Sequence, residues 1–124
     1  MKTHDIPRSE WSSFLDSFSR THEGWLVRVD EVAVPAGPTA VEARGLPLLG
    51  VTYERPDDNI VIALGGRGDA HLTHVVHRPS RVAVEQTDEG IEQGVRIESA
   101  SGPATRVTFR SAMRPEEVDG LPTS

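Results

Sequence analysis

The chain has 124 residues, of which 36% are hydrophobic and only 5% aromatic, enough to bury one core without metal or disulfide support. Thirteen basic against 19 acidic side chains leave a net charge of −6, so no nucleic-acid surface is expected, and an anionic membrane surface is disfavoured for the same reason. There are no cysteines, which excludes disulfides, thiolate catalysis and cysteine-ligated metal.

In chain order, residues 1–7 read as a polar lead, with Pro7 placed where a helix start tolerates its fixed φ. They contain no apolar core of the kind a signal peptide carries, and no apolar run approaches the ~20 residues that span a bilayer. A soluble cytoplasmic protein is therefore expected. Residues 8–23 predict a helix, because Trp11, Phe14, Leu15 and Phe18 recur at i, i+3, i+4 and i+7 and share one face. Asp5 or Ser9 would cap it, and the other serines fall on its wet face or its ends. Gly24 is the expected left-handed stop, and His22 in the last turn suits the helix dipole.

The rest reads as strands over residues 25–112. Residues 25–34 form the first, with an apolar parity switch at Asp30–Glu31 that predicts a bulge. Pro35 to Pro38 is a turn. Residues 40–44 and 48–55 make two short strands separated by Gly45-Leu46-Pro47. Ile60 to Leu64 is apolar at every position, which predicts a central strand covered on both faces. Gly65 to Ala70 is a turn, residues 71–77 a strand, and residues 113–124 a short tail.

The last three strands allow their register to be derived. Each has one apolar parity, and antiparallel partners must match parity, because a one-residue slip flips a strand's faces. The hairpin of residues 81–87 and 91–100 then pairs Val82 with Ile97 and Val84 with Val95. The hairpin that follows, centred on Gly102, pairs Ile97 with Val107 and Val95 with Phe109. On the opposite face Arg81, Glu98 and Arg106 fall in a row of alternating sign, which reads as self-compensating and not as a binding patch. The expected architecture is α+β: one N-terminal amphipathic helix packed on a strongly curved, mostly antiparallel sheet of six to seven strands, a partly open barrel within a single domain spanning residues 1–124. The alternative is a β-sandwich with a peripheral helix.

Ile6-Pro7, Trp11, Phe14-Leu15-Asp16, Phe18-Ser19 and His22-x-Gly24-Trp25 open a pattern that continues with Val41-Glu42-Ala43-Arg44. It goes on through His71-x-Thr73-His74, Pro79-x-Arg81-Val82 and Glu98-Ser99-Ala100. This pattern resembles an uncharacterised bacterial group, domain-of-unknown-function family 5335. The resemblance spans nearly the whole chain and implies one compact domain, with no activity attached.

No enzyme signature stands out. His71, His74 and His77 alternate on a strand, which sets the outer two about 20 Å apart and turns the middle one away, so they cannot share a metal. Asp69 and His71 make at most half a site. The glycine-rich turn before them lacks a following helix, so it is no phosphate loop, and its Arg67-Gly68-Asp69 is read as coincidence. The serines form no nucleophile elbow, and the paired acids at 57–58 and 88–89 sit in exposed turns. Neither a cofactor nor a metal site is expected. The leading expectation is a non-enzymatic binding or interaction module, whose partner is another protein or a second copy met at an edge strand or the Gly45–Gly50 lip. The alternative is a small-ligand-binding protein or small enzyme with a pocket between helix and sheet, using His22, Trp25, Arg44 and His74.

Overall fold

The computed structural model describes residues 2–33, 39–65 and 71–110, with residues 39–44 described by their backbone. The turn at 35–38, the glycine-rich turn with Asp69 and the tail at 113–124 lie outside them. The elements are β1 (Lys2–Ile6), a 3-10 turn (Arg8–Glu10), α1 (Trp11–His22), β2 (Leu26–Val32), β3 (Thr39–Glu54), β4 (Asn59–Gly65), β5 (His71–His77), β6 (Pro79–Gln86), β7 (Glu92–Ser99) and β8 (Ala104–Phe109). All eight strands join one antiparallel sheet in the order β1-β6-β7-β8-β2-β3-β4-β5. β1 and β5 end that order without pairing to each other, so the curved sheet is open.

The strand beyond the expected six or seven is β1, within the segment read as a polar lead. It lies along β6, from Lys2 opposite Gln86 to Ile6 opposite Val82, and its first four side chains are exposed. An edge strand wet on both faces carries no apolar alternation, so its sequence is silent. Beyond its ladder to β6, it is tied at Ile6, whose carbonyl accepts from Trp11 Nε1 at 2.9 Å, and at Asp5, whose Oδ1 accepts from Arg81 Nε at 2.9 Å and Nη2 at 2.6 Å.

The helix keeps its apolar face but starts later, because residues 8–10 are 3-10. Neither Asp5 nor Ser9 caps it; the Glu10 amide donates to the Pro7 carbonyl at 2.8 Å instead. Trp11, Leu15, Phe18 and His22 are buried, whereas Phe14 is half-buried at the margin. Gly24 stops the helix at φ +85°, as expected.

The bulge expected in β2 at Asp30–Glu31 is not found there: β2 runs in unbroken register against β8 from Val27 to Val32, and the switch only places Val32 on the face of Arg28 and Asp30. The register shifts against β3, at Val27/Arg28 and Val29/Asp30, pass over Gly45 and Glu42 of β3. β3 corrects the expectation of two strands, because it runs 16 residues without a break. Its first half pairs with β2 and its second with β4, and Gly45, at φ +63°, sits in the crossing. Past Pro47, β3 leaves β2, and α1 takes the vacant side. The Ser19 hydroxyl accepts from the Val51 amide at 2.8 Å and lies 3.0 Å from the Val51 carbonyl. A serine expected on the wet face thus does the work of a strand neighbour. β4 is covered on one face only: Ile60, Ile62 and Leu64 are fully buried, but Val61 and Ala63 are half-exposed.

The β6–β7 register is the derived one, Val82 to Ile97 and Val84 to Val95. In β7–β8 the parity holds but the centre moves, so that Val95 meets Val107 and Ile97 meets Thr105. Arg106 then lies opposite Arg96 and bonds Glu85 instead of completing a row with Glu98. Gly94 permits the close approach of these strands, since a Cβ there would collide with the Val107 carbonyl oxygen. The core fills the concave face with Trp11, Leu15, Phe18, Leu48, Ile60, Ile62, Leu64 and the inward valines of β2, β6, β7 and β8.

Candidate functional site

Alternation along β2 and β8 points Val27 and Val29, and Val107 across from them, into the core. Continuing the same parity, Glu31 and Thr105 face each other on that inner surface. β5 brings a third polar group from the far end of the sheet, because His74 shares its face with Val76 and lies opposite the buried Ile62. His74 Nε2 stands 3.1 Å from Thr105 Oγ1 and 3.5 Å from Glu31 Oε2. Thr105 is 2% exposed. This trio opens onto a cavity of about 190 Å³ between β5 and the β7–β8 turn, where Ser99, Ser101 and His77 add further polar atoms. The Ser99 hydroxyl donates to the His77 carbonyl at 2.6 Å, and His77 Nδ1 lies 3.1 Å from Asn59 Oδ1. We refer to this gap as the seam.

His22 occupies a different setting. Its ring is packed by Phe18, Trp25 and Phe109, each with its centroid 4.5 Å away. Its Nδ1 donates to the Phe18 carbonyl at 2.8 Å, and Nε2 faces Glu92 Oε1 at 3.6 Å. Burial lowers its pKa below the ordinary 6.5; the Phe18 bond and Glu92 oppose that shift without reversing it. Trp25 contacts both His22 and Phe109, and its indole N–H is enclosed without a hydrogen-bond partner among the described residues.

The four residues singled out from sequence therefore do not form one pocket. His22 and Trp25 meet, but His74 lies elsewhere: its neighbour Thr105 and His22's neighbour Phe109 are four residues apart on β8, about 13 Å. Arg44 stands opposite Arg28 in the β2–β3 ladder; its side chain lies outside the described residues. Glu31 and Thr105 were missed. The available signal was their parity, a polar residue where an apolar one was due.

The seam is not wired for nucleophilic catalysis. A relay needs a carboxylate on one ring nitrogen and a hydroxyl on the other, whereas Glu31 and Thr105 share Nε2. Among the described residues no three acids or histidines cluster as a metal site would require. No helix among them is long and apolar enough to cross a membrane.

The outer face of the sheet is a ledger of ion pairs. Arg81 joins Asp5 and Glu98, Arg96 joins Glu98, Arg106 joins Glu85, and Arg28 joins Asp30. Burial pushes Glu98 upward, but hydrogen bonds from Arg96 and Arg81 outweigh it and hold its pKa below 4.5. Arg81 is raised, first by its bonds to Asp5 and Glu98.

Comparison with known proteins adds a family without a chemistry. No curated protein and no solved structure matches the chain. A family model described as a family of unknown function (DUF5335) matches residues 2–118, and the chain belongs to that family.

Proposed function

We propose that this protein is a non-enzymatic binding module that holds a small polar molecule in the seam. The observation that carries this reading is a carboxylate, an imidazole and a hydroxyl on a sheet face that is mostly apolar, gathered at a cavity. Inward polar groups cost stability unless partnered, and departures from a consistent core pattern concentrate at functional sites. The trio offers donors and acceptors together, which suits an amide, a hydroxy acid or a polyol. The cavity lies below the roughly 300–1,000 Å³ of drug-sized sites, so the ligand is small. Glu31 remains 34% exposed, which provides a route in from solvent. The cytoplasm is the proposed compartment.

The partner-protein reading has less support. The large exposed apolar side chains among the described residues are Leu49 on β3, Leu72 on β5 and Ile91 ahead of β7. They lie on two strands and in the turn between β6 and β7.

Screening the full chain against small amides, hydroxy acids and diols by amide chemical-shift perturbation tests the proposal. Hits should shift the amides of Ser101, Thr105 and His74 and lose that pattern in Thr105→Val. Hits that map elsewhere, or shifts that persist unchanged in Thr105→Val, would refute it.

A further inference from the structure

A second concavity lies on the outer face, where β2, β3 and β8 run side by side. Its volume is about 470 Å³, and its walls are Arg28, Thr108, Phe109, Arg110 and Gly45. Thr108 stands opposite Arg28 across one ladder, and position 44, also an arginine, stands opposite Arg28 across the other. The backbone thus sets Thr108, Arg28 and Arg44 abreast. Arg110 follows β8, where its amide donates to the Leu26 carbonyl at 3.1 Å, so its side chain starts from a fixed point.

From the geometry we infer that this cavity binds an oxyanion, a carboxylate or phosphate group, between Arg28 and Arg110. On the rest of this face the arginines are tied up: Arg81, Arg96 and Arg106 each hold a carboxylate. Among the described residues Arg28 gives only its Nε to a partner, Asp30 at 2.8 Å, with both Nη groups left for a ligand. Arg110 has no ion-pair partner among the described residues. Two guanidinium groups at one concavity repel each other until an anion joins them, and the planar fork suits two parallel bonds to carboxylate or phosphate. Thr108 adds a hydroxyl. Asp30 offsets part of the positive charge, which favours a single oxyanion over a polyanionic surface.

Gly45 supports this assignment. A Cβ there would come within 3.2 Å of Arg110 Nη1 and 3.3 Å of its Cδ. The bare glycine lets the Arg110 side chain lie across β3 toward Arg28.

A comparable cavity of about 440 Å³ near α1 also holds two arginines, Arg8 and Arg55, but it does not compete. The Arg8 guanidinium is already committed to Tyr53 Oη at 3.0 Å, Pro79 O at 2.8 Å and Asp58 at 3.4 Å, and it lies over Trp11. The outer-face site is independent of the seam, so either can fail without the other.

The test titrates the full chain separately with inorganic phosphate and with acetate, at constant ionic strength, following arginine Nε–Hε signals by NMR. The expected result is a saturable shift at Arg28 and Arg110, with Arg55 unmoved as the internal control. Arg110→Gln, at an exposed side chain, should weaken binding by about tenfold. Tighter binding of phosphate points to a phosphorylated ligand, and tighter binding of acetate to a carboxylate. Non-saturating shifts, equal shifts at Arg55, or an Arg110→Gln affinity equal to the parent's would each overturn the inference.

Discussion

Two histidines in this molecule face a glutamate at nearly the same distance, His22 to Glu92 at 3.6 Å and His74 to Glu31 at 3.5 Å. They differ in everything else. His22 is walled by three aromatic rings, where its neutral form is favoured and its ring acts as one more piece of core. His74 meets a hydroxyl and a carboxylate at a cavity. A histidine–glutamate pair therefore does not define a site. What defines it is whether the groups behind the ring can hydrogen-bond a third party.

The largest effect that would sharpen this contrast comes from removing the aromatic wall. Phe18, at 5% exposed, stacks on Phe109 and tilts against His22. Phe18→Ala should cost about 3–5 kcal/mol in urea unfolding, as buried phenylalanines do. Amide shifts around Thr105 should stay nearly unchanged, and a large change there would mean that the two ends are one unit.

Next in size is the response to acid. With the folded pKa of His22 depressed, the unfolded chain binds a proton more readily below its own value near 6.5. The contribution is whole above pH 6.5 and is lost as pH falls through the lower folded pKa. His22→Phe should flatten that part of the stability–pH curve. An NMR titration of the His22 ring should show a midpoint below 6.5, and a midpoint above it would break the comparison.

Thr105→Val is smaller still. It removes a buried hydroxyl while keeping shape, so stability should change by no more than about 1.5 kcal/mol. Ligand capture at the seam should nevertheless disappear. The smallest effect is expected on the outer face, where Arg81→Gln at an exposed pair should cost about 0.2–1 kcal/mol, less in high salt. A greater loss would show that β1 depends on that pair.

How much of this was legible in sequence follows from which residues carry a pattern. The β6–β7 register could be read because Val82, Val84, Val95 and Ile97 alternate cleanly, and parity leaves few solutions. The next hairpin slipped because parity fixes a register only to within two residues, and the turn around Gly102 had to supply the rest. β1 was illegible because residues 2–5 face water on both sides. The seam was illegible for a different reason. Glu31, His74 and Thr105 come from three strands, and only the curl of the sheet carries β5 back to β8. The faces of His74 and Thr105 were readable, the expected switch at Asp30–Glu31 hid that of Glu31, and the proximity of the three was not readable.

The Ser19 hydroxyl also guards the border of the sheet. Where β3 parts from β2, Ser19 occupies the Val51 amide and lies against its carbonyl, so the helix closes a border that would otherwise be exposed. Without that contact the second half of β3 would present free backbone groups beside Leu49, an invitation for neighbouring molecules to stick. The helix is thus a safeguard for solubility as well as a lid on the core. Its loosening would be felt as clumping before it was felt as unfolding.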